Sequence, residues 1–232
     1  MNVLIVHAHP EQKSFTSALY ATAVEHFKQA GHQVETSDLY AMSFNPVASS
    51  RDFEERANSD YLVYALEQRS AFKNEKLTAD IAAEVDKVTR CDLLILTFPV
   101  YWFSMPAILK GWVDRVFVSG HFYGGRRIFN QGGMSGKRAL VCATLGGREA
   151  MFGNRGVHDD IETLLMPLLK GSLGYVGFDV LKPYLGFHIP YLDADARAGV
   201  MEKWKQNLEL IAEREILPMP NLNNYNDQLQ LL

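Results

Sequence analysis

The sequence lacks several features that mark common functional classes. It has only two cysteines in 232 residues, Cys91 and Cys142, and both lie in apolar segments, which indicates small buried residues of a reduced protein. A basic excess is also missing, because the net charge is −4, and this argues against a general binder of nucleic acid or anionic membranes. No apolar run reaches transmembrane length, and the start MNVLIVHAHP has no basic segment typical of a signal peptide. We therefore expect a cytoplasmic protein with no membrane span and no nucleic-acid partner.

Glycine is absent from the stretch HAHPEQKSFTSAL (residues 7–19), which follows the apolar run NVLIV and opens a predicted helix. Strand-to-helix junctions of this kind often hold a phosphate, and a tight Rossmann-type loop needs glycine for its close backbone approach. A phosphate site without this close approach needs no glycine, because the hydroxyls of Ser14 and Thr16 and the free N–H groups of a helix start can serve as donors. His9 and Lys13 lie nearby in the sequence and can add further donors. Taken alone, the loop favours the simpler interpretation that Ser14 caps the helix.

Five apolar runs alternate with helical patterns along the chain: NVLIVHA, HQVETSDL, DLLILTFP, KRALVCAT and GFDVLKPY. The helical spacing predicts helices over residues 15–30, 78–89, 106–117, 157–171 and 194–213. This alternation predicts a doubly wound α/β fold, a parallel sheet with helices on both faces. The length fits one domain, which we place at residues 1–215, followed by a C-terminal extension at 216–232 that could lie on a second subunit. Residues 39–77 and the Gly-rich stretch 119–136 are long connections of a kind that is usually functional or partner-bound.

Ligands of an open parallel sheet bind beyond the carboxyl ends of the strands, where residues 7–16, 97–105 and 144–158 form loops. In the second of these loops Tyr101, Trp102 and Phe103 follow Pro99, and three adjacent aromatic residues cannot all face one core. At least one ring should therefore project into the crevice, where it would suit a planar ligand such as an isoalloxazine ring. A hydrophobic subunit interface explains the same rings equally well.

The third loop carries a glycine pair and a histidine. Gly146 and Gly147 permit a close backbone approach, and their N–H groups could bond a ring carbonyl. His158 falls at the start of the predicted helix 157–171, where the helix dipole would disfavour its charged form. A lone histidine at a helix start is more often structural, and this one gains weight from the glycine pair in its loop.

In these loops and over nearly its whole length, the chain resembles the FAD-dependent NAD(P)H:quinone reductase family of flavodoxin-like proteins. The resemblance rests on segments that match in order and spacing: SDLYAM-FNP, FP-YWFS-PAILKGW-DRV, TLGG…M…G-H-D and ADAR. It implies a five-stranded parallel sheet in the order 2-1-3-4-5, bound FAD, and a homodimer whose active sites are shared between subunits. NADH or NADPH would pass a hydride to the flavin and leave, and a quinone, or an azo or nitro compound, would then be reduced in the same pocket (a ping-pong mechanism).

The resemblance also implies roles for individual residues. Contacts with FAD are expected from His9, Ser14, Phe15, Thr16, Pro99, Val100, Tyr101, Trp102, Phe103, Thr144, Leu145, Gly146, Gly147, Ile189, Arg197 and Met201. At the reacting end, the catalytic groups are expected to be His158, Tyr123, Gly146 and Gly147. The substrate pocket is expected to involve Trp102, Phe103, Phe152, Tyr123 and Gly125, with Tyr123 and Gly125 reaching in from the partner chain.

The sequence departs from the family pattern at positions that bear on chemistry. Phe152 stands where the NAD(P)H branch of the family has the tyrosine of a Tyr–His relay. The relay therefore lacks its hydroxyl beside His158. Gly125 replaces a second pocket tyrosine, which should widen the pocket. Arg126 and Arg127 could favour anionic acceptors or dinucleotide phosphates, although surface arginines are more often only solvated. In the dihydronicotinamide riboside branch of the family, a metal site has histidines at the positions of Lys170 and Gly174. We therefore expect no metal there in this protein.

Two other functions stay open at this stage, a flavodoxin-like electron carrier and a flavin-binding ancillary or regulatory subunit of a transport system. The aromatic pocket and long insertions argue against the carrier. A flavin-free structural dimer would leave the three strand-end loops unexplained. No residue at a diagnostic position chooses NADH over NADPH.

Overall fold

A parallel sheet organises the molecule, which we describe from a computed structural model covering residues 1–232. The five strands are β1 (Asn2–His7), β2 (Gln33–Asp38), β3 (Leu93–Pro99), β4 (Arg138–Thr144) and β5 (Asp179–Gly186). They pair in the order β2-β1-β3-β4-β5, and every pair is parallel, which confirms the predicted topology. All of β3 is buried, as its continuous apolar sequence requires of a central strand covered on both faces.

Seven α-helices connect or follow the strands: α1 (Phe15–Gln29), α2 (Tyr64–Lys73), α3 (Ala79–Arg90), α4 (Ala107–Val116), α5 (Ile161–Leu164), α6 (Met166–Leu168) and α7 (Ala194–Glu209). On one face of the sheet α1 packs against α7, and the Trp204 indole N–H donates to the Leu19 carbonyl at 2.9 Å. On the other face α3 and α4 cover the larger apolar core around Trp112 and Phe98. None of these helices combines the length and apolar character needed to cross a bilayer.

The predicted helix over 157–171 is wrong in its start and in its continuity. Its first regular turn is α5, which begins at Ile161 with Asp160 as its N-cap, and α6 is followed by a π-helical turn over Leu169–Gly174. Pro167 explains the interruption, because proline has no N–H and its ring clashes with the carbonyl of the preceding turn. His158 lies before the helix and pairs with Phe152 as an isolated bridge, so the helix-dipole argument for its charge has no geometric basis.

The long connection 39–77 contains α2, which the sequence did not predict, and it is tied to the domain by a buried ion pair. The Arg115 guanidinium contacts both carboxylate oxygens of Asp52 at 3.1 and 3.2 Å and also contacts Asp80 at 3.1 Å. It donates to the Asn45 carbonyl at 2.8 Å as well, and the Tyr64 hydroxyl donates to Asp52. These bonds hold the connection firmly against α4.

The C-terminal extension packs on its own chain. The Leu217 N–H donates to the Val180 carbonyl at 2.8 Å, which places the start of the extension along β5. Further on, Arg126 donates to the Asn226 carbonyl at 2.8 Å, so this arginine anchors the extension instead of being merely solvated. The domain boundary at residue 215 stays a prediction.

Candidate flavin site

A cavity of about 450 Å³ lies at the carboxyl ends of β1, β3 and β4, where the sheet topology predicts a ligand. Most of the residues that the sequence assigned to FAD meet there, although they come from segments far apart in the chain. Its walls are formed by His9, Lys13, Ser14, Phe15, Thr16, Pro99, Val100, Tyr101, Thr144, Leu145, Gly146, Ile189, Pro190 and Arg197. Lys13 and Pro190 are additions to the predicted set.

The first wall of the cavity is the start of α1. Ser14 is the N-cap, and its side chain accepts a hydrogen bond from the Ser17 N–H at 3.0 Å, which confirms the predicted cap. The N–H groups of Phe15 and Thr16 donate to no acceptor in the chain. The positive end of the helix is therefore open toward the cavity beside the Lys13 ammonium group, and this arrangement suits an anion.

A second wall follows β3 and ends in a tight turn. Tyr101 and Ser104 exchange backbone hydrogen bonds of 2.9 and 3.0 Å, and between them Trp102 and Phe103 have φ angles of 50° and 58°. Bulky residues rarely adopt this left-handed conformation, which costs on the order of 1–3 kcal/mol for each residue. The turn projects Trp102 into solvent with 95% of its surface exposed. Neither Trp102 nor Phe103, both predicted to contact FAD, lines the cavity in a single chain.

The third wall ends in the turn at Gly146 and Gly147, of which Gly146 lines the cavity and Gly147, also predicted to contact FAD, does not. The N–H groups of both glycines lack acceptors within the chain. His188 holds this turn in place: one of its ring nitrogens, Nδ1, lies 3.0 Å from the Gly146 carbonyl oxygen, and its backbone N–H donates to the Gly147 carbonyl at 2.9 Å. Sequence reasoning missed His188, and no local signal marks it, because it lies more than forty residues from the loop it supports.

An aromatic group lies beside the glycine turn. The His158 ring stands 4.9 Å from the Phe103 ring and 5.2 Å from the Phe152 ring, measured between centroids. Phe152 also packs near Gly147, where an added Cβ would lie 3.0 Å from the phenyl ring. The structure thus brings Phe152 and His158 together as the resemblance implied, and Phe152 offers no hydroxyl to the histidine.

Three of the remaining predicted site residues lie away from this cavity. Met201, on α7, accepts a hydrogen bond from the Thr22 hydroxyl at 3.3 Å and packs against α1. Tyr123 and Gly125 line a separate groove with Arg69 and Arg127. Within one chain Tyr123 and Gly125 cannot contribute to the cavity, so the predicted role over a pocket requires a partner chain.

A buried histidine that the sequence did not single out supports the floor of the site. His7 ends β1, and its ring nitrogens lie 2.8 Å from the Thr97 hydroxyl and 3.0 Å from the Ser17 hydroxyl. The Ser17 hydroxyl in turn lies 2.9 Å from the Ser14 hydroxyl. Burial lowers the pKa of His7 to about 4, so the ring is neutral at physiological pH.

No group of three or more histidine, cysteine, aspartate or glutamate side chains is arranged to hold a metal ion. Gly174, one of the positions compared with another branch's metal site, instead faces Met219, whose sulfur lies 2.5 Å from where a Cβ would stand. The two cysteines are buried and unpaired, as predicted.

Comparison with known proteins fits this architecture. A family model described as "Flavodoxin-like fold" matches residues 1–208. Rat NAD(P)H dehydrogenase [quinone] 1 is 42% identical over 215 residues, which cover 92% of this chain and 78% of the rat protein. Human ribosyldihydronicotinamide dehydrogenase [quinone] is 40% identical over 217 residues, 93% of this chain and 94% of the human protein. The chain belongs to the NAD(P)H:quinone reductase family of flavodoxin-like proteins.

A solved structure supports this relationship at the level of the whole chain. A Klebsiella pneumoniae protein assigned as a quinone reductase superposes with a TM-score of 0.94 at 35% identity, covering 100% of this chain and 93% of the other. The resemblance to the family is therefore confirmed for the chain as a whole, and with it the membership of a family of oxidoreductases. The roles of individual side chains stay predictions.

Proposed function

We propose that the protein is a homodimeric, FAD-dependent oxidoreductase that reduces quinones by two electrons with NADH or NADPH as the donor. The observation that carries the proposal is that three residues lining one cavity, Phe15, Thr16 and Gly146, have backbone N–H groups without an acceptor in the chain. Thr16 is buried and Phe15 is partly buried, whereas Gly146 is exposed. Buried N–H groups without partners are rare in proteins, and at the helix start the missing partner would be a ligand.

The start of α1 would hold the phosphates of the cofactor. Phe15 and Thr16 would donate their N–H groups, and Lys13 would add a positive charge. Beyond this helix start the cavity continues to Ile189 and Arg197. This extension favours FAD over FMN, because a mononucleotide ends at its phosphate and has no adenosine half to fill the region.

The flavin ring would lie between Tyr101 and the Gly146–Gly147 turn. Bound flavin supplies the ability to accept a hydride from a nicotinamide and to return two electrons to a quinone. Gly146 and Gly147 would donate hydrogen bonds to the polar edge of the ring and stabilise negative charge there. His158 is the nearby group that could hold or move a proton, and the adjacent Phe152 contributes only its ring.

The donor and the quinone would use the same open side of the ring in turn. Trp102 and Phe103 form the rim of that side, where the strained turn presents them outward. A second copy of the chain would cover this rim and bring its own Tyr123 and Gly125 over the pocket. Because Gly125 has no ring where the family has a tyrosine, the pocket would have room for bulkier acceptors, including azo and nitro compounds.

The proposal is tested by purifying the protein, recording its visible spectrum and identifying the released flavin by chromatography. We expect the protein to be a dimer in solution with bound FAD. NADH or NADPH should bleach the FAD, and its absorbance should recover when a quinone is added. Failure to bind either FAD or FMN after reconstitution would overturn the site assignment. Binding without donor-dependent bleaching would instead favour the ancillary flavin-binding role.

A further inference from the structure

A second concave surface lies outside the proposed flavin site and carries only positive charge. This groove, of about 550 Å³, has Arg69, Lys73 and Arg127 in its wall and no carboxylate. The whole chain is acidic, with 27 Asp and Glu against 23 Lys and Arg, so a cleft whose charged residues are all cations does not simply reflect the composition. We call it the basic groove.

The cations of the basic groove are free to bind a ligand. None of Arg69, Lys73 and Arg127 forms an ion pair with a carboxylate of the chain. The Asp114 carboxylate acts electrostatically on the Tyr123 hydroxyl at the edge of the groove, but it already forms an ion pair with Lys110 at 2.6 Å. The adjacent Arg126 differs, because it is occupied by the C-terminal extension.

The backbone holds Arg69 in a defined orientation. Its side chain lies across Gly120 and Gly124, and an added Cβ at these glycines would stand 2.7 Å from Cγ and 3.0 Å from Nη2 of Arg69. Its guanidinium also donates to the Ser119 hydroxyl at 3.3 Å. Both glycines have positive φ angles, 86° and 149°, so the loop is shaped to let the arginine lie flat against it. An arginine placed in this way has lost part of its conformational entropy before any ligand binds.

The location of the groove indicates which anion it would meet. Tyr123 and Gly125 form part of its wall, and these are the residues proposed to reach over the pocket of the partner chain. We propose that the basic groove binds the phosphate groups of the nicotinamide dinucleotide donor while the nicotinamide ring occupies that pocket. This inference rests on the proposed function and adds the residues that would bind the phosphates of the donor. Those phosphates are the pyrophosphate shared by NADH and NADPH or the 2′-phosphate present in NADPH alone.

Calorimetric titration of the flavin-loaded protein with 2′,5′-ADP tests phosphate binding without any turnover. We expect Arg69→Gln and Arg127→Gln each to weaken binding by about tenfold, because each removes a charge-assisted hydrogen bond to phosphate. Added salt should weaken binding to the unaltered protein, since the groove is exposed. Arg51→Gln is the matched control, because Arg51 is an exposed arginine outside the groove. Equal affinities for the unaltered protein, both groove variants and the control would overturn the inference.

Steady-state kinetics with three donors identify the phosphate that is bound. In the groove variants, KM for the dinucleotide should rise by about tenfold with kcat unchanged, whereas dihydronicotinamide riboside, which has no phosphate, should be unaffected. A rise for NADPH alone assigns the 2′-phosphate to the groove, and a rise for both dinucleotides assigns the pyrophosphate. An unchanged KM for both, or an equal rise for the riboside, would overturn the inference. If the unaltered protein has no donor-dependent activity, the proposed function fails, and the titration alone decides whether the groove binds phosphate.

Discussion

Polar groups are arranged in opposite ways around Arg115 and around the cavity at the strand ends. Arg115 is buried, and its guanidinium is surrounded by Asp52, Asp80 and the Asn45 carbonyl, so its donors are directed to partners within the chain. At the cavity, the N–H groups of Phe15 and Gly146 have no partner in the chain. A polar cluster that satisfies itself serves the fold, whereas one that leaves donors converging on a cavity is built for a ligand.

The largest expected effect comes from breaking the satisfied cluster. Arg115→Met should reduce the free energy of unfolding by about 3–5 kcal/mol, because it leaves Asp52 buried without its counter-ion. Urea unfolding measures the loss. Lys110→Met on the same helix is the matched control, since its pair with Asp114 is exposed and should contribute no more than about 1 kcal/mol. Equal losses in the two variants would show that burial does not distinguish these ion pairs.

The reverse experiment changes the cavity while leaving the fold intact. An added Cβ at Gly146 meets only Tyr191, at 3.8 Å, so Gly146→Ala should change the free energy of unfolding by less than about 1 kcal/mol. The affinity for flavin should nevertheless fall by about tenfold, because the methyl group prevents the close approach of the ring to the backbone. Fluorescence titration with FAD measures this affinity. Gly199→Ala, at an open position of α7, serves as the control and should leave flavin binding unchanged.

His7 predicts a pH dependence of stability that belongs to the floor of the site. Burial lowers its pKa from 6.5 to about 4, so below pH 6.5 the unfolded chain binds a proton that the folded chain does not. Stability should therefore fall as the pH is lowered from 6.5 toward 4, by about 2 kcal/mol between pH 7 and pH 5. His7→Gln should flatten this dependence in urea unfolding measured across the range. A slope that is identical in the variant would remove His7 as its cause.

An effect no larger than that of Gly146→Ala is expected at the ring beside His158. Phe152→Tyr would add the hydroxyl that the family relay uses, and the rings already stand 5.2 Å apart. We expect the rate of flavin reduction by NADPH to rise, because the added hydroxyl would help to stabilise negative charge on the flavin ring. The rise should be only about tenfold, equivalent to about 1.4 kcal/mol, because backbone N–H groups would already stabilise that charge. Stopped-flow absorbance measures the rate. An unchanged rate would mean that the missing hydroxyl is irrelevant.

The parts of the molecule that the sequence predicted are those whose signals are local. Apolar runs identified every strand and were near-continuous for β1, β3 and β4, and Ser14 before an apolar helix identified the cap. Pairings between distant residues left no such signal, as with Arg115 and Asp52, which are 63 residues apart. The helix expected over 157–171 begins only at Ile161, after its N-cap Asp160, and it is interrupted because Pro167 outweighs the apolar periodicity around it.

The central claim is that the unpaired N–H groups at the strand ends bind the flavin. Amide hydrogen exchange, measured on the protein with and without FAD, tests it most directly. We predict that binding slows exchange in the segments containing Phe15–Thr16 and Gly146–Gly147, with no change around Asp52. Slowed exchange confined to other segments, with FAD bound, would contradict the claim.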